Sequence, residues 1–238
     1  MSSTRLPGKV LKPILGRPMI GLQIERLNRC KMLDQFVVAT SIQAEDEPIV
    51  NFCQSLGIAV FAGNLNNVLD RFYRTASKYH ADHIARITGD CPLIDPKLID
   101  ELVEFYFLEE CDYASNCRPP TLPDGLDAEI FSFHALETAW KGAQEPYDLE
   151  HVTPYILRCF DQFKLSNYRY VKDYSMLRWT VDYPEDFELV KKIYESLYFH
   201  NPEFDIEDII QLIDRNPALK EMNIHYKRTL KYGKIKSI

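Results

Sequence analysis

Gln35-Phe36-Val37-Val38-Ala39-Thr40 is a short, almost continuously apolar run. It is too brief for a helix and shows no polar alternation, so it reads as a strand buried on both faces of a parallel sheet. Upstream, Pro18 to Lys31 sets Met19, Ile20, Leu22, Ile24 and Leu27 at helical spacing, with Pro18 at a tolerated first-turn position. Downstream, Asp46 to Leu56 reads as a helix stopped by Gly57, and Ile58 to Ala62 as a second buried strand. Asn66 is placed to cap a helix carrying Val68, Leu69, Phe72, Tyr73 and Ala76. His83 to Thr88 gives a third strand, followed by the loop Gly89-Asp90-Cys91-Pro92-Leu93-Ile94-Asp95-Pro96 and a helix from Lys97 to Leu108. This alternation predicts a three-layer, doubly wound α/β fold around a mostly parallel sheet.

The middle of the chain changes character. Asp112 to Asn116 reads as a strand, and Pro119, Pro120, Pro123 and Gly125 form a loop into a strand from Leu126 to Phe131. Alternation there puts Asp127 and Glu129 on one face. Helices are expected at Phe133 to Gly142 and Leu149 to Phe160, and strands at Leu165 to Val171 and Leu177 to Asp182. Pro184-Glu185-Asp186 opens a helix running to Leu197, and Ile206 to Ile213 forms another. With no repeat, linker or composition break, residues 1–238 read as one domain. Within it, 112–175 form a substrate-side insertion and 224–238 a basic tail with Lys227, Arg228, Lys231, Lys234 and Lys236, expected to be solvated.

An apolar fraction of 46% over 238 residues suits a globular core and excludes disorder. The net charge of −7 argues against a nucleic-acid binder held by a broad basic face, but leaves room for a local cationic pocket. No apolar run approaches the ~18 residues of a membrane span and the start lacks a secretory core, so a cytoplasmic location is expected. The six cysteines contain no C-x-x-C pair and read as reduced and structural.

The chemistry concentrates in three places. Ser2-Ser3-Thr4-Arg5-Leu6-Pro7-Gly8-Lys9 packs cations, hydroxyls and a Pro-Gly turn into eight residues, a composition suited to cradling a polyphosphate. It is not a Walker A loop, because no glycine stands five residues before Gly8 and Val10 follows Lys9. Asp90 and Asp182 each fall at the end of an expected strand, where ligands of open α/β sheets bind. Two carboxylates beside a cationic cradle are what a magnesium-bound nucleoside triphosphate needs. Taken singly, either aspartate reads more readily as a turn former or helix cap. Cys91 has no local histidine to activate it, His80 and His83 lack a third zinc ligand, and Trp179 reads as core.

Ser-Ser-Thr-Arg-Leu-Pro-Gly-Lys, Gly16-Arg17-Pro18-Met19-Ile20, Thr88-Gly89-Asp90-Cys91-Pro92-Leu93-Ile94 and Arg178-Trp179-Thr180-Val181-Asp182-Tyr183-Pro184-Glu185-Asp186 together resemble the cytidylyltransferase family. Asp124-Gly125-Leu126-Asp127 and Glu150-His151-Val152-Thr153-Pro154-Tyr155 resemble its spore-coat polysaccharide branch. The resemblance implies a sheet of the nucleotide-diphospho-sugar transferase type. It also implies transfer of CMP from CTP to a sugar acid, sugar phosphate or polyol phosphate, for surface polysaccharide or glycan assembly. It places the nucleotide on Ser3, Thr4, Arg5, Gly8, Lys9, Asp70 and Arg71, and magnesium on Asp90 and Asp182. Arg5, Lys9, Asp90 and Asp182 become the catalytic set, and a homodimer is the oligomer to test. Asp127, Glu129, Glu150 and His151 would face the acceptor, although Asp127 and Glu129 also read as a solvated strand face and His151 as a surface histidine. A glycosyltransferase of related fold is the alternative enzyme, but no Asp-x-Asp metal motif stands at a strand end. A catalytically silent nucleotide-binding subunit is the other alternative.

The family pattern also implies a buried strand and an Ala-Arg pair ahead of the cradle. The sequence offers no spare strand near its start, so an open position is expected in the middle of the sheet, with weak activity or aggregation as its consequence.

Overall fold

A computed structural model describes residues 3–228. A small antiparallel pair, β1 (Pro13–Ile14) and β2 (Arg17–Pro18), leads into α1 (Met19–Leu27). The strand–helix alternation then follows as expected: β3 (Val37–Ser41), α2 (Glu47–Ser55), β4 (Ala59–Gly63), α3 (Val68–Lys78), β5 (His83–Arg86) and α4 (Pro96–Leu108). The central region gives β6 (Tyr113–Ser115), β7 (Glu129–Ser132), α5 (Phe133–Gly142), α6 (Pro146–His151), α7 (Pro154–Arg158) and β8 (Leu165–Asn167). The chain closes with α8 (Pro184–Leu197), α9 (Ile206–Arg215) and α10 (Ala218–Glu221).

β3 and β4 pair in parallel from Val37 opposite Ala59 to Ser41 opposite Gly63. The other sheet runs β5-β7-β6-β8, with β7 antiparallel to both neighbours and β6 parallel to β8. Helices cover both faces. One core joins Met19 and Leu22 of α1 to Trp179, Val181 and the apolar sides of α8 and α9; the other joins Leu69 of α3 to Phe131, α5 and α7. Among the described residues no helix is long and apolar enough to cross a membrane.

Four sequence expectations change. The α3 cap is Asn67, not Asn66, because the Asn67 side chain accepts from the Asp70 N–H at 2.9 Å. The helix expected at Leu149 to Phe160 breaks into α6 and α7, since Pro154 has no N–H to continue it and Val152 takes a positive φ of 73°. Leu177 to Asp182 is extended but is not a ladder strand; its neighbours are loops, reached by one bridge from Arg178 to Asp124 and by the Val181 N–H to the Asp90 carbonyl. Gly125 permits this packing, since a Cβ there would lie 2.3 Å from the Thr180 nitrogen and its φ is 112°. Of the expected basic tail only 224–228 are described, and there Arg228 is not solvated but has its side chain 13% exposed and paired with Asp127.

Among the described residues the sheet is interrupted between β3 and β5. No ladder joins these strands among the described residues. Val37 to Thr40 on one side and Ile84 to Thr88 on the other wall a cavity of about 770 Å3, with Ile20, Gln23 and Ile24 of α1 against it. Gln23 partly substitutes for a strand: its Nε2 donates to the Thr88 carbonyl at 2.8 Å, while its Oε1 is buried without a partner. Fusing a five-residue extended apolar segment ahead of Ser3 should therefore raise the melting temperature by several degrees, each ~1 kcal/mol counting for ~2–4 °C at this chain length. An unchanged melting temperature, with unchanged binding of an apolar dye, would show that the slot does not admit a strand.

Candidate active site

The cradle is held by its apolar residue. Leu6 is 8% exposed and joins the α8–α9 core, while Gly8, at φ 68°, turns the chain into a single helical turn, Lys9–Leu11. Ser3 is spent locally, its hydroxyl accepting from the Leu6 N–H at 3.4 Å, and Thr4 is exposed. This turn aims Lys9 inward. Its ammonium donates to Asp90 Oδ2 at 3.2 Å, Asp182 Oδ1 at 3.0 Å and the Val181 carbonyl at 2.7 Å. Burial alone would push the Lys9 pKa down, but the two carboxylates outweigh it and hold it above the ordinary lysine value. Burial likewise raises Asp182, and Lys9 outweighs it, so that this carboxyl sits below the usual range.

The aspartates converge because their backbones are tied. The Val181 N–H donates to the Asp90 carbonyl at 2.8 Å, and the Trp179 and Thr180 N–H groups donate to the Asp124 carbonyl at 2.6 and 2.8 Å. Asp182 is then fixed from below. Its Oδ2 accepts from Arg178 at 3.0 Å, and its N–H donates to the fully buried Asp186 at 3.0 Å. Arg178 also reaches Asp124 at 2.8 Å and Asp186 at 3.0 Å, and these partners raise its pKa against the lowering effect of burial. Arg5 stands at the rim, its Nη2 3.2 Å from Asp182 and its Nη1 donating to the Tyr183 hydroxyl at 2.9 Å.

Lys9, Arg5, Asp90 and Asp182 thus form one cluster, joined by Arg178, Asp186, Asp124 and Tyr183, to which the sequence assigned no role. Arg178, Asp182 and Asp186 are spaced by four in sequence, a signal present in the motif, but the Asp124 partner comes from a distant loop. The other sequence candidates lie apart in their contacts. Asp70 accepts from Arg74 at 2.7 Å and from the Trp140 indole at 2.9 Å; Arg71 donates to the Asn64 carbonyl at 3.1 Å and lines the slot. Asp127 precedes β7 and pairs with Arg228. Glu129, 3% exposed, accepts from Arg86, from Tyr113 at 2.7 Å and from Thr153 at 2.7 Å, so it is not a solvated strand face. Burial pushes the Glu129 carboxyl up, and Arg86 with the two hydroxyls brings it below its ordinary value. Glu150 is exposed, and the His151 ring meets Tyr147 edge-on at 4.4 Å. Cys91 is buried with its thiol pKa raised by that burial, which removes it as a nucleophile.

Magnesium fits this donor set. The Lys9 ammonium sits between two carboxylates from separate chain segments, so the pair already faces a positive charge. No group of three or more His, Cys, Asp or Glu converges as a metal cage among the described residues. Two protein carboxylates suit a cation that completes its shell with phosphate oxygens and water.

The profile of the cytidylyltransferase family matches residues 1–227. The spore coat polysaccharide biosynthesis protein SpsF of Bacillus subtilis is 30% identical over 233 residues, which cover 91% of this chain and 92% of that protein. A cytidylyltransferase structure from Leptospira borgpetersenii superposes with a TM-score of 0.87 at 35% identity, covering 92% of each chain. The structure of CMP:2-keto-3-deoxy-manno-octonic acid synthetase complexed with CTP superposes with a TM-score of 0.63 at 17% identity, covering 82% of this chain and 94% of that one, a likeness of fold. The sheet with its covering helices is thus of the nucleotide-diphospho-sugar transferase type, and the chain belongs to the cytidylyltransferase family.

Proposed function

We propose that this chain transfers CMP from CTP to an oxygen of a sugar acid, sugar phosphate or polyol phosphate and releases pyrophosphate. The observation that carries the reading is the Lys9 ammonium bridging Asp90 and Asp182 at the mouth of a cationic cradle. Asp90 and Asp182 would hold magnesium, which neutralises charge on the phosphates when bound. Lys9 and Arg5 would hold the β- and γ-phosphates and stabilise the departing pyrophosphate. Arg178 and Asp186 keep Asp182 in register throughout. Asp127, partly exposed and paired with Arg228, is the acceptor-side carboxylate, with Glu129, Glu150 and His151 as the further acceptor-side candidates. Support comes from the family profile, from SpsF as a relative and from a CTP-bound structure of the same fold.

Pyrophosphate release from four nucleoside triphosphates, each offered with a panel of sugar acids and sugar and polyol phosphates, tests the reading. CTP should be the donor, and chelating magnesium should stop release; tight CTP binding with no product from any acceptor would favour a silent subunit. Asp90→Asn and Asp182→Asn should keep the circular dichroism of the parent and lower turnover by roughly two orders of magnitude or more. Near-parental rates at saturating magnesium would remove that carboxylate from the mechanism. Lys9→Ala should weaken triphosphate binding and turnover together while leaving the preference among CTP, UTP, ATP and GTP unchanged, and a switch of preferred base would contradict its role at the phosphates.

A further inference from the structure

We infer that residues 223–228 form a strap that presets the triphosphate-binding arginine, with Tyr226 as the positioning residue. The inference rests on the CTP reading above. After α10 the chain returns across the site. Asn223, 2% exposed, donates from Nδ2 to the Arg178 carbonyl at 2.9 Å and to Asp186 Oδ1 at 2.8 Å, so the strap begins bolted to the carboxylate that holds Asp182. Three residues on, the Tyr226 ring lies flat on Tyr183, with centroids 3.8 Å apart and planes 4° from parallel, and its hydroxyl donates to Glu185 at 3.1 Å. At the far end Arg228, its side chain 13% exposed, donates to the Leu122 carbonyl at 3.0 Å and pairs with Asp127. One short segment therefore spans from the cradle to the acceptor-side carboxylate.

The middle contact reaches Arg5 through a single ring. Arg5 donates to the Tyr183 hydroxyl at 2.9 Å, and its guanidinium carbon stands 4.6 Å from the centre of the same ring. The Arg5 side chain is 48% exposed, and a long cationic side chain in water samples many rotamers. Tyr183 selects the one that points at Asp182, provided that its own ring does not turn. Tyr226, stacked flat on it, prevents the turn. Tyr226 belongs to none of the apolar clusters among the described residues, so its ring acts on Tyr183 and Arg5 more than on the core.

Calorimetric titration with magnesium and either CTP or CMP separates the outcomes, run on the parent chain, Tyr226→Ala, Tyr226→Phe, Arg5→Ala and the double variant Arg5→Ala/Tyr226→Ala. Tyr226→Ala should bind CTP roughly three- to tenfold more weakly, the range of one lost aromatic pair. CMP affinity should not change, because CMP lacks the phosphates that Arg5 holds. Tyr226→Phe keeps the ring and should bind like the parent, and the double variant should bind CTP no more weakly than Arg5→Ala. Parental CTP binding in Tyr226→Ala, equal losses for CTP and CMP, additive losses in the double variant, or an unfolded Tyr226→Ala would each overturn the inference. A folded parent that binds neither nucleotide would overturn the CTP reading, and this inference with it.

Discussion

Asp186 is the carboxylate on which the site rests. It is fully buried, an expensive place for a charge, and it is stabilised by hydrogen bonds from five donors: Arg178 Nε and Nη2, the Asp182 and Tyr183 N–H groups, and Asn223 Nδ2. The two backbone donors lie at the N-terminus of α8, where unpaired N–H groups and the helix dipole favour an anion. Each donor also fixes something else. Arg178 carries Asp124 and Asp182, the backbone groups set the direction of the Asp182 side chain, and Asn223 starts the strap. A buried ion pair is weak evidence of stability in itself, but its geometry has few alternatives, and here it orders three segments of chain around one point.

That ordering explains a site whose charges nearly balance before any ligand arrives. Asp90, Asp124, Asp182 and Asp186 face Lys9, Arg5 and Arg178, leaving one carboxylate in excess by formal charge. A bare polyphosphate would meet cations already committed to carboxylates. On the function proposed above, a divalent cation arriving with the triphosphate would be held by Asp90 and Asp182 and would leave Lys9 for the phosphates, so cation and nucleotide are expected to bind cooperatively and weakly apart. The overall charge of −7 is no obstacle, because the exchange is local.

The fold was legible where local pattern and packing agree. β3, β4, α1 to α5, α8 and α9 lie within a few residues of where apolar spacing puts them, because each buries the face that its sequence marks. Leu177 to Asp182 misled because an apolar, β-branched run becomes a ladder strand only if a strand edge lies beside it, and here Asp124 and Asp90 offer loops. In the site, Arg5, Lys9, Asp90 and Asp182 were legible as residue types suited to a phosphate and a cation. Arg178 and Asp186 were not: an arginine beside Trp179 and an aspartate in a first helical turn look like ordinary surface and capping residues until Asp124 and Asn223 arrive from 54 and 37 positions away. The alternative of Glu129 as a solvated strand face fails because strand alternation says nothing about the Thr153 hydroxyl that covers it.

The slot and the site share a wall. Thr88, Gly89 and Val10 line the cavity, Asp90 follows Gly89 directly, and Val10 is itself the neighbour of Lys9 in the cradle turn. Among the described residues, the segment carrying Asp90 meets the slot through the side-chain hydrogen bond from Gln23 to the Thr88 carbonyl. On its other side the Val181 N–H holds the Asp90 carbonyl, and through it the whole Asp186 network. Asp182 is held by Lys9, Arg5, Arg178 and, through its N–H, Asp186, and Asp90 by Lys9 and the Thr88 hydroxyl at its carboxylate and by Val181 and Thr180 at its carbonyl. Packing at the middle of the sheet therefore bears on where the Thr88–Asp90 segment sits relative to Asp182, as well as on stability.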